Sequence, residues 1–164
     1  AGERAYTRCG TPEYVPPEML LGEGVNFGSD WWALGVLTYE LLVGHAPFTD
    51  PGANDMRTYA NILDGRYRAP TALSSSAADL IAGLLQIEPE RRVGSLEGGD
   101  DDVIRHAWIA GLDLDGLVNR TIQPPWQPKL SGADDTSNFD IEAQRPSYER
   151  LLAEGESDVP PLVD

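Results

Sequence analysis

"SDWWALGVLTYELLVG", Ser29–Gly44, decides the fold of this chain. Nearly every position between its ends is apolar. A helix that is apolar on all sides belongs at the centre of a body rather than on its surface. The stretch therefore predicts a buried central helix. Ser29 or Asp30 can cap its start by accepting backbone N–H bonds, and Gly44 can end it in the left-handed conformation. Glu40 breaks the pattern, because a carboxylate among apolar neighbours is costly unless paired. On the pattern alone, Glu40 reads as one half of an internal ion pair.

Working outward, further helices follow the same logic. In "PGANDMRTYANILDGRY", 51–67, Asn54 or Asp55 can cap a helix whose one face carries Met56, Tyr59, Ile62 and Leu63. In "SSSAADLIAGLLQIEP", 74–89, a serine caps, Leu80, Ile81, Leu84 and Leu85 form the stripe, and Pro89 ends it. "GDDDVIRHAWIAG", 99–111, predicts one more short helix with acids at its positive end. No strand pattern occurs in the first 110 residues. The expected fold class is all-α. Beyond Trp108 the chain turns rich in Pro, Asp, Ser and Glu, with too few apolar residues to fold alone. It predicts an extended, largely irregular tail, with a helical turn or two at 147–153.

Composition narrows the function. With 12 basic and 27 acidic residues in 164, the formal net charge is -15. Phosphate backbones need a basic face, so nucleic acid is excluded as a partner. A basic partner is allowed, although a solvated acidic surface and tail account for most of the charge. No apolar run reaches the roughly 18 residues of a membrane span, and "AGERAYTRCG" has no apolar signal region. A single cysteine, Cys9, forms no internal disulfide, which favours a reducing, cytoplasmic location. His45 and His106 are far apart and no metal-ligand spacing occurs, so no metal site is expected.

"CGTPEYVPPEM", Cys9–Met19, packs three prolines, two carboxylates and the lone cysteine into eleven residues. It reads as a constrained loop, with one short helical turn around Pro17–Leu21. "TRCGTPEYVPPE", 7–18, resembles the end of the activation segment of eukaryotic protein kinases. "SDWWALGVLTYELLVGHAPF" is similar to the buried central helix of the kinase large lobe, and "PERRVG", 89–94, to its later arginine motif. "DTSNFD", 135–140, is similar to the tail of AGC-group Ser/Thr kinases, with the cyclic-nucleotide-dependent kinases nearest.

The resemblance implies a kinase C-lobe segment of an α+β parent, with a partial kinase domain over 1–109 and an AGC tail over 110–164. It implies transfer of the ATP γ-phosphate, with Mg2+, to Ser or Thr of basic peptides or proteins. The Gly-rich loop, strand lysine, His-Arg-Asp and Asp-Phe-Gly motifs do not occur in the sequence. They would precede Ala1, so this fragment is expected to be inactive without the N-terminal lobe and catalytic loop. The alternative is a non-catalytic pseudokinase or peptide-docking scaffold. A cyclic-nucleotide-binding regulatory subunit or domain is a further implied partner.

Site residues follow from the same match. Thr7 corresponds to the activation-loop phosphosite. Thr11 corresponds to the threonine that bridges the catalytic aspartate and its lysine neighbour; otherwise it stabilises a turn. Gly10 and Pro12 shape the loop that cradles the substrate, and Arg8 stands where relatives commonly carry an apolar residue. Asp30 corresponds to the aspartate that braces the catalytic loop. Glu40 corresponds to a glutamate that binds an arginine two residues before the phosphorylated one. Glu13 corresponds to a carboxylate for a more distant arginine, or is a solvated loop charge. Glu18 and Arg92 correspond to a structural ion pair, with Pro16 replacing the signature alanine. Phe139 corresponds to an aromatic contact near the adenine pocket. Cys9 is either a modifiable thiol beside Arg8 or a packed, inert one.

Overall fold

The computed structural model describes residues 11–49, 52 and 54–139. Two compact units make up the chain, Ala1–Leu112 and Asp113–Asp164. The described residues are helical, with no strand beyond one bridge residue at Val25. In the first unit α1 spans Pro17–Leu21, α2 Phe27–Val43, α3 Asp55–Asp64, α4 Ser75–Leu84 and α5 Asp100–Ile104. Single 3-10 turns stand at Pro12–Tyr14 and Pro89–Arg91.

The helix α2 starts earlier than its sequence suggests. Asn26 is the cap, its side chain accepting from the Gly28 N–H at 2.8 Å. Ser29 and Asp30 thus lie within the first turn, and neither caps. Gly44 ends α2 at φ 91, as its position predicts. The expectation of burial on all sides is also corrected. Trp32, Val36 and Tyr39 are buried on one face, whereas Leu37 and Leu41 on the opposite face are 42% and 76% exposed.

The buried face joins two clusters. Trp32, Val36, Tyr39, Phe48, Ile62, Ile81 and Leu85 form one, in which Trp32 stacks on Phe48 at 5.2 Å. Leu80, Leu84 and Val103 form the other, with Trp31 and Leu34 against it. Helices α2 and α4 meet closely because Gly35 has no side chain. A Cβ there would lie 2.9 Å from the Cβ of Leu84 and 2.8 Å from Leu85 Cδ2. Asn54 and Ser74 cap α3 and α4 through their side chains. On α3, Ile62 is buried but Met56 is 72% exposed, so the apolar stripe is narrower than its sequence suggests.

One polar cluster ties the loop at 11–18 to this core. Arg92 is fully buried, and all five of its N–H groups are used. Nη1 and Nη2 donate to Glu18 Oε1 and Oε2 at 2.8 and 2.6 Å, a bidentate pair. The remaining three donate to the carbonyls of Gly28, Gln86 and Ile87 at 2.8, 2.9 and 3.2 Å. The guanidinium also lies over the Trp32 ring at 5.1 Å. Ser29 Oγ donates to Glu18 Oε1 at 2.7 Å, which is the role it takes instead of capping. Burial pushes the Glu18 carboxyl up, but hydrogen bonds from Arg92 and Ser29 outweigh it and hold it below its ordinary value.

The second unit is sparse in its described part. Helix α6, Leu114–Val118, is capped by Asp113 accepting from the Gly116 N–H at 2.9 Å. This short helix lies in a region expected to be irregular. Asp135 accepts from the Ser131 N–H and from the Ser137 N–H, and these bonds hold its carboxyl far below the usual range.

Two outcomes are expected in denaturation of the intact protein. Gly35→Ala should destabilise by about 1–2 kcal/mol, because overpacking outweighs the helix-propensity gain of about 1 kcal/mol. Arg92→Ala should cost about 3–5 kcal/mol by leaving Glu18 buried and unpaired. Lysine should not rescue it, because an ammonium cannot make five divergent bonds. The contribution of Glu18 is present above its ordinary value near 4.5 and is lost as pH falls through its lower folded value. The stability gap between the parent and Arg92→Ala should therefore narrow as pH falls through that range; a gap that stays constant with pH would contradict this assignment.

Candidate functional site: an acidic cleft

The loop at 11–18 is stiffened by its prolines. Thr11 starts the Pro12–Tyr14 turn through its carbonyl, which accepts from the Tyr14 N–H at 3.0 Å. Its side chain makes no cap bond, so the turn-stabilising reading of the hydroxyl does not hold. Pro16 sits at φ -78, within the range its ring imposes, and its carbonyl accepts from the Met19 N–H at 3.1 Å.

This loop and the C-terminal end of α2 enclose a cleft of about 520 Å³. Thr11, Glu13, Tyr14, Glu40, His45 and Thr49 line it. Among the described residues, no lysine or arginine lines the cleft. Glu40 is not half of an internal ion pair among the described residues. Its partner is the Tyr14 hydroxyl, which donates to Glu40 Oε2 at 2.6 Å. That hydrogen bond raises the Tyr14 pKa, with burial and the charges of Glu40 and Glu13 adding to it. A tyrosine hydroxyl is a neutral donor, so it orients the Glu40 carboxylate without pairing it with a cation, and the Glu13 and Glu40 side chains line one concave surface. Such a surface suits a guanidinium or ammonium.

The other expected site residues fall in different places. Pro12 is in the turn beneath Thr11. Asp30 is exposed and lies on the same face of α2 as Leu37 and Leu41. Phe139, in the second unit, is 69% exposed. Thr7, Arg8, Cys9 and Gly10 lie outside the described residues, as do the turns expected at 147–153. Sequence reasoning missed Tyr14 as the partner of Glu40. Its signal was faint, since 26 residues separate the two. It also missed His45 and Thr49, which line the cleft only because the chain doubles back after Gly44.

Protein kinases act with ATP and Mg2+. The described residues hold no group of three or more side chains able to ligate a metal. Glu13 and Glu40 do not make such a set, so no step of nucleotide handling is placed on them. No helix among the described residues is long and apolar enough to cross a membrane.

The protein kinase domain family matches residues 1–109. Serine/threonine-protein kinase gad8 of Schizosaccharomyces pombe is 45% identical over 140 residues, covering 85% of this chain and 24% of that protein. The human cAMP-dependent protein kinase catalytic subunit PRKX is 41% identical over 138 residues, covering 84% of this chain and 38% of that protein. Human cGMP-dependent protein kinase 2 is 41% identical over 142 residues, covering 85% and 18%. The chain thus spans well under half the length of the curated relatives it matches. With its helical body and its Glu18–Arg92 anchor, the chain belongs to the protein kinase family, as a segment of an AGC-type serine/threonine kinase.

Proposed function

We propose that this segment positions basic peptides for transfer of the ATP γ-phosphate to a serine or threonine hydroxyl. The observation that carries the reading is the cleft in which Glu13 and Glu40 line one space with no cation among the described lining residues. Glu40 takes an arginine close to the phosphoacceptor, and Glu13 takes a more distant one. Thr11, at the rim with its hydroxyl free of the turn, braces the catalytic aspartate and lysine of the parent kinase. Gly10 and Pro12 shape the floor under the phosphoacceptor. Phe139 serves as a contact near the nucleotide pocket of the parent.

The uncovered face of α2 supports a second part of the proposal. Asp30, Leu37 and Leu41 form one stripe whose apolar members remain open to solvent. The catalytic loop and its flanking helix in the parent kinase cover this stripe, with Asp30 accepting backbone N–H bonds from the loop. Phosphoryl transfer depends mainly on positioning and electrostatics, so these residues share in catalysis without performing the chemical step. Phosphorylation at Thr7 adds nearly two negative charges and orders the loop against arginines. A cyclic-nucleotide-binding regulatory subunit or domain is the partner class suggested by the names of the relatives.

The intact protein should phosphorylate a serine peptide with arginines preceding the serine at least about tenfold more efficiently than its alanine counterpart. Thr7→Ala should lower kcat more than Thr7→Glu. Binding of the arginine peptide with no transfer from Mg-ATP would sink the catalytic reading in favour of a docking scaffold. Equal efficiency on both peptides would sink the basic-substrate reading.

A further inference from the structure

A second cleft, of about 620 Å³, adjoins the acidic one. His45 and Thr49 line both, so the two form one groove divided by a low ridge. The charge reverses across that ridge. Among the described residues, the acidic cleft contains Glu13 and Glu40 and no lysine or arginine, and the second contains Arg66 and Arg68 and no carboxylate. In a chain with 27 acidic and 12 basic residues, two arginines with no acid among the described lining residues run against the composition.

The second cleft has a fixed floor. Tyr67 packs edge-on against Tyr39 at 5.8 Å and against Phe48 at 5.6 Å. The Tyr39 hydroxyl donates to the Arg68 carbonyl at 2.7 Å, pinning the backbone that carries this arginine. The Asn61 side chain donates to the Phe48 carbonyl at 2.9 Å, and the Arg66 N–H donates to the Asn61 carbonyl at 3.0 Å. Arg66 also faces Asp64 at 3.5 Å, a pair exposed on both sides and therefore weak enough to give way to a ligand.

The ridge is polar as well. His45 Nδ1 lies 3.0 Å from the Ala46 carbonyl, an acceptor only, so Nδ1 carries the proton. In the neutral ring Nε2 is then left as an acceptor. The Thr49 hydroxyl has no hydrogen-bond partner among the described residues, so turning toward a ligand breaks no internal bond.

Position along the groove sets what can occupy it. Thr11, at the phosphoacceptor end, lines only the first cleft. The second cleft, which Thr11 does not line, meets the first at His45 and Thr49. An extended peptide whose arginine reaches Glu40 therefore continues over the ridge with its amino-terminal residues.

Resting on the peptide-cleft reading above, we propose that Arg66 and Arg68 form a distal subsite for a carboxylate side chain of the substrate. The preferred peptide is thus charge-alternating, with an acidic residue amino-terminal to the arginines that precede the phosphoacceptor. Two partly exposed arginines acting on one carboxylate give about a threefold to tenfold preference, greatest at low salt.

The test uses fluorescence anisotropy with the intact protein, so it does not depend on catalysis. One arginine-containing peptide is extended at its amino terminus, and a single glutamate is walked through the extension against an alanine background. One register should bind about threefold to tenfold tighter than alanine. Arg66→Gln/Arg68→Gln should abolish that difference at unchanged Tm, and Arg66→Lys/Arg68→Lys should keep part of it. No preference at any register, or one that survives the double glutamine variant, overturns the proposal. A lost arginine preference alongside an intact glutamate preference would instead overturn the assignment of Glu40 and leave the distal subsite standing.

Discussion

A buried guanidinium with all five donors used is the constraint on which the first unit depends. Arg92 holds both oxygens of Glu18 and three backbone carbonyls from two separate stretches of chain. Each bond fixes a different piece. Glu18 carries the loop at 11–18, Gly28 the first turn of α2, and Gln86 and Ile87 the exit from α4. A single side chain therefore sets where the loop sits relative to the helix that carries Glu40. Removing it would leave the Glu18 carboxylate with no cation and only the Ser29 hydroxyl among its side-chain donors, and would take one donor from each of three carbonyls.

The chemistry of the cleft follows from that anchoring. Glu40 comes from a helix made rigid by core packing, whereas Thr11, Glu13 and Tyr14 come from a loop whose regular structure is a single 3-10 turn. Prolines stiffen the loop, but stiffness alone does not place it. The Glu18–Arg92 pair supplies the placement, and the Tyr14–Glu40 hydrogen bond registers the loop against α2 at its far end. The loop is thus held at two points, one charged and buried, the other hydrogen-bonded and half-buried. Between them lies the carboxylate-lined space to which peptide binding is assigned.

Much of this was legible in the sequence, for identifiable reasons. Apolar density marked α2, and cap residues marked α3 and α4, because these signals are local. Glu40 stood out because a charge in an apolar helix needs an explanation. The misses were of two kinds. The start of α2 was misplaced because three residues near its beginning can cap, and Ser29 was drawn away by Glu18. The open stripe at Leu37 and Leu41 was unreadable because periodicity reports that a residue is apolar, not which surface covers it. Tyr14 as the partner of Glu40, and the joining of the two clefts at His45, depend on chain reversal after Gly44. No local pattern encodes that reversal.

The central claim is that Glu40 reads a cationic side chain of a bound peptide, held ready by Tyr14 and ultimately by Arg92. A double-mutant cycle on the intact protein tests it directly, with Kd measured for arginine and alanine peptides against the parent and Glu40→Gln. The account predicts a coupling of about 1.5 kcal/mol or more, with Glu40→Gln weakening only the arginine peptide. A coupling near zero, with both peptides weakened alike, would contradict it.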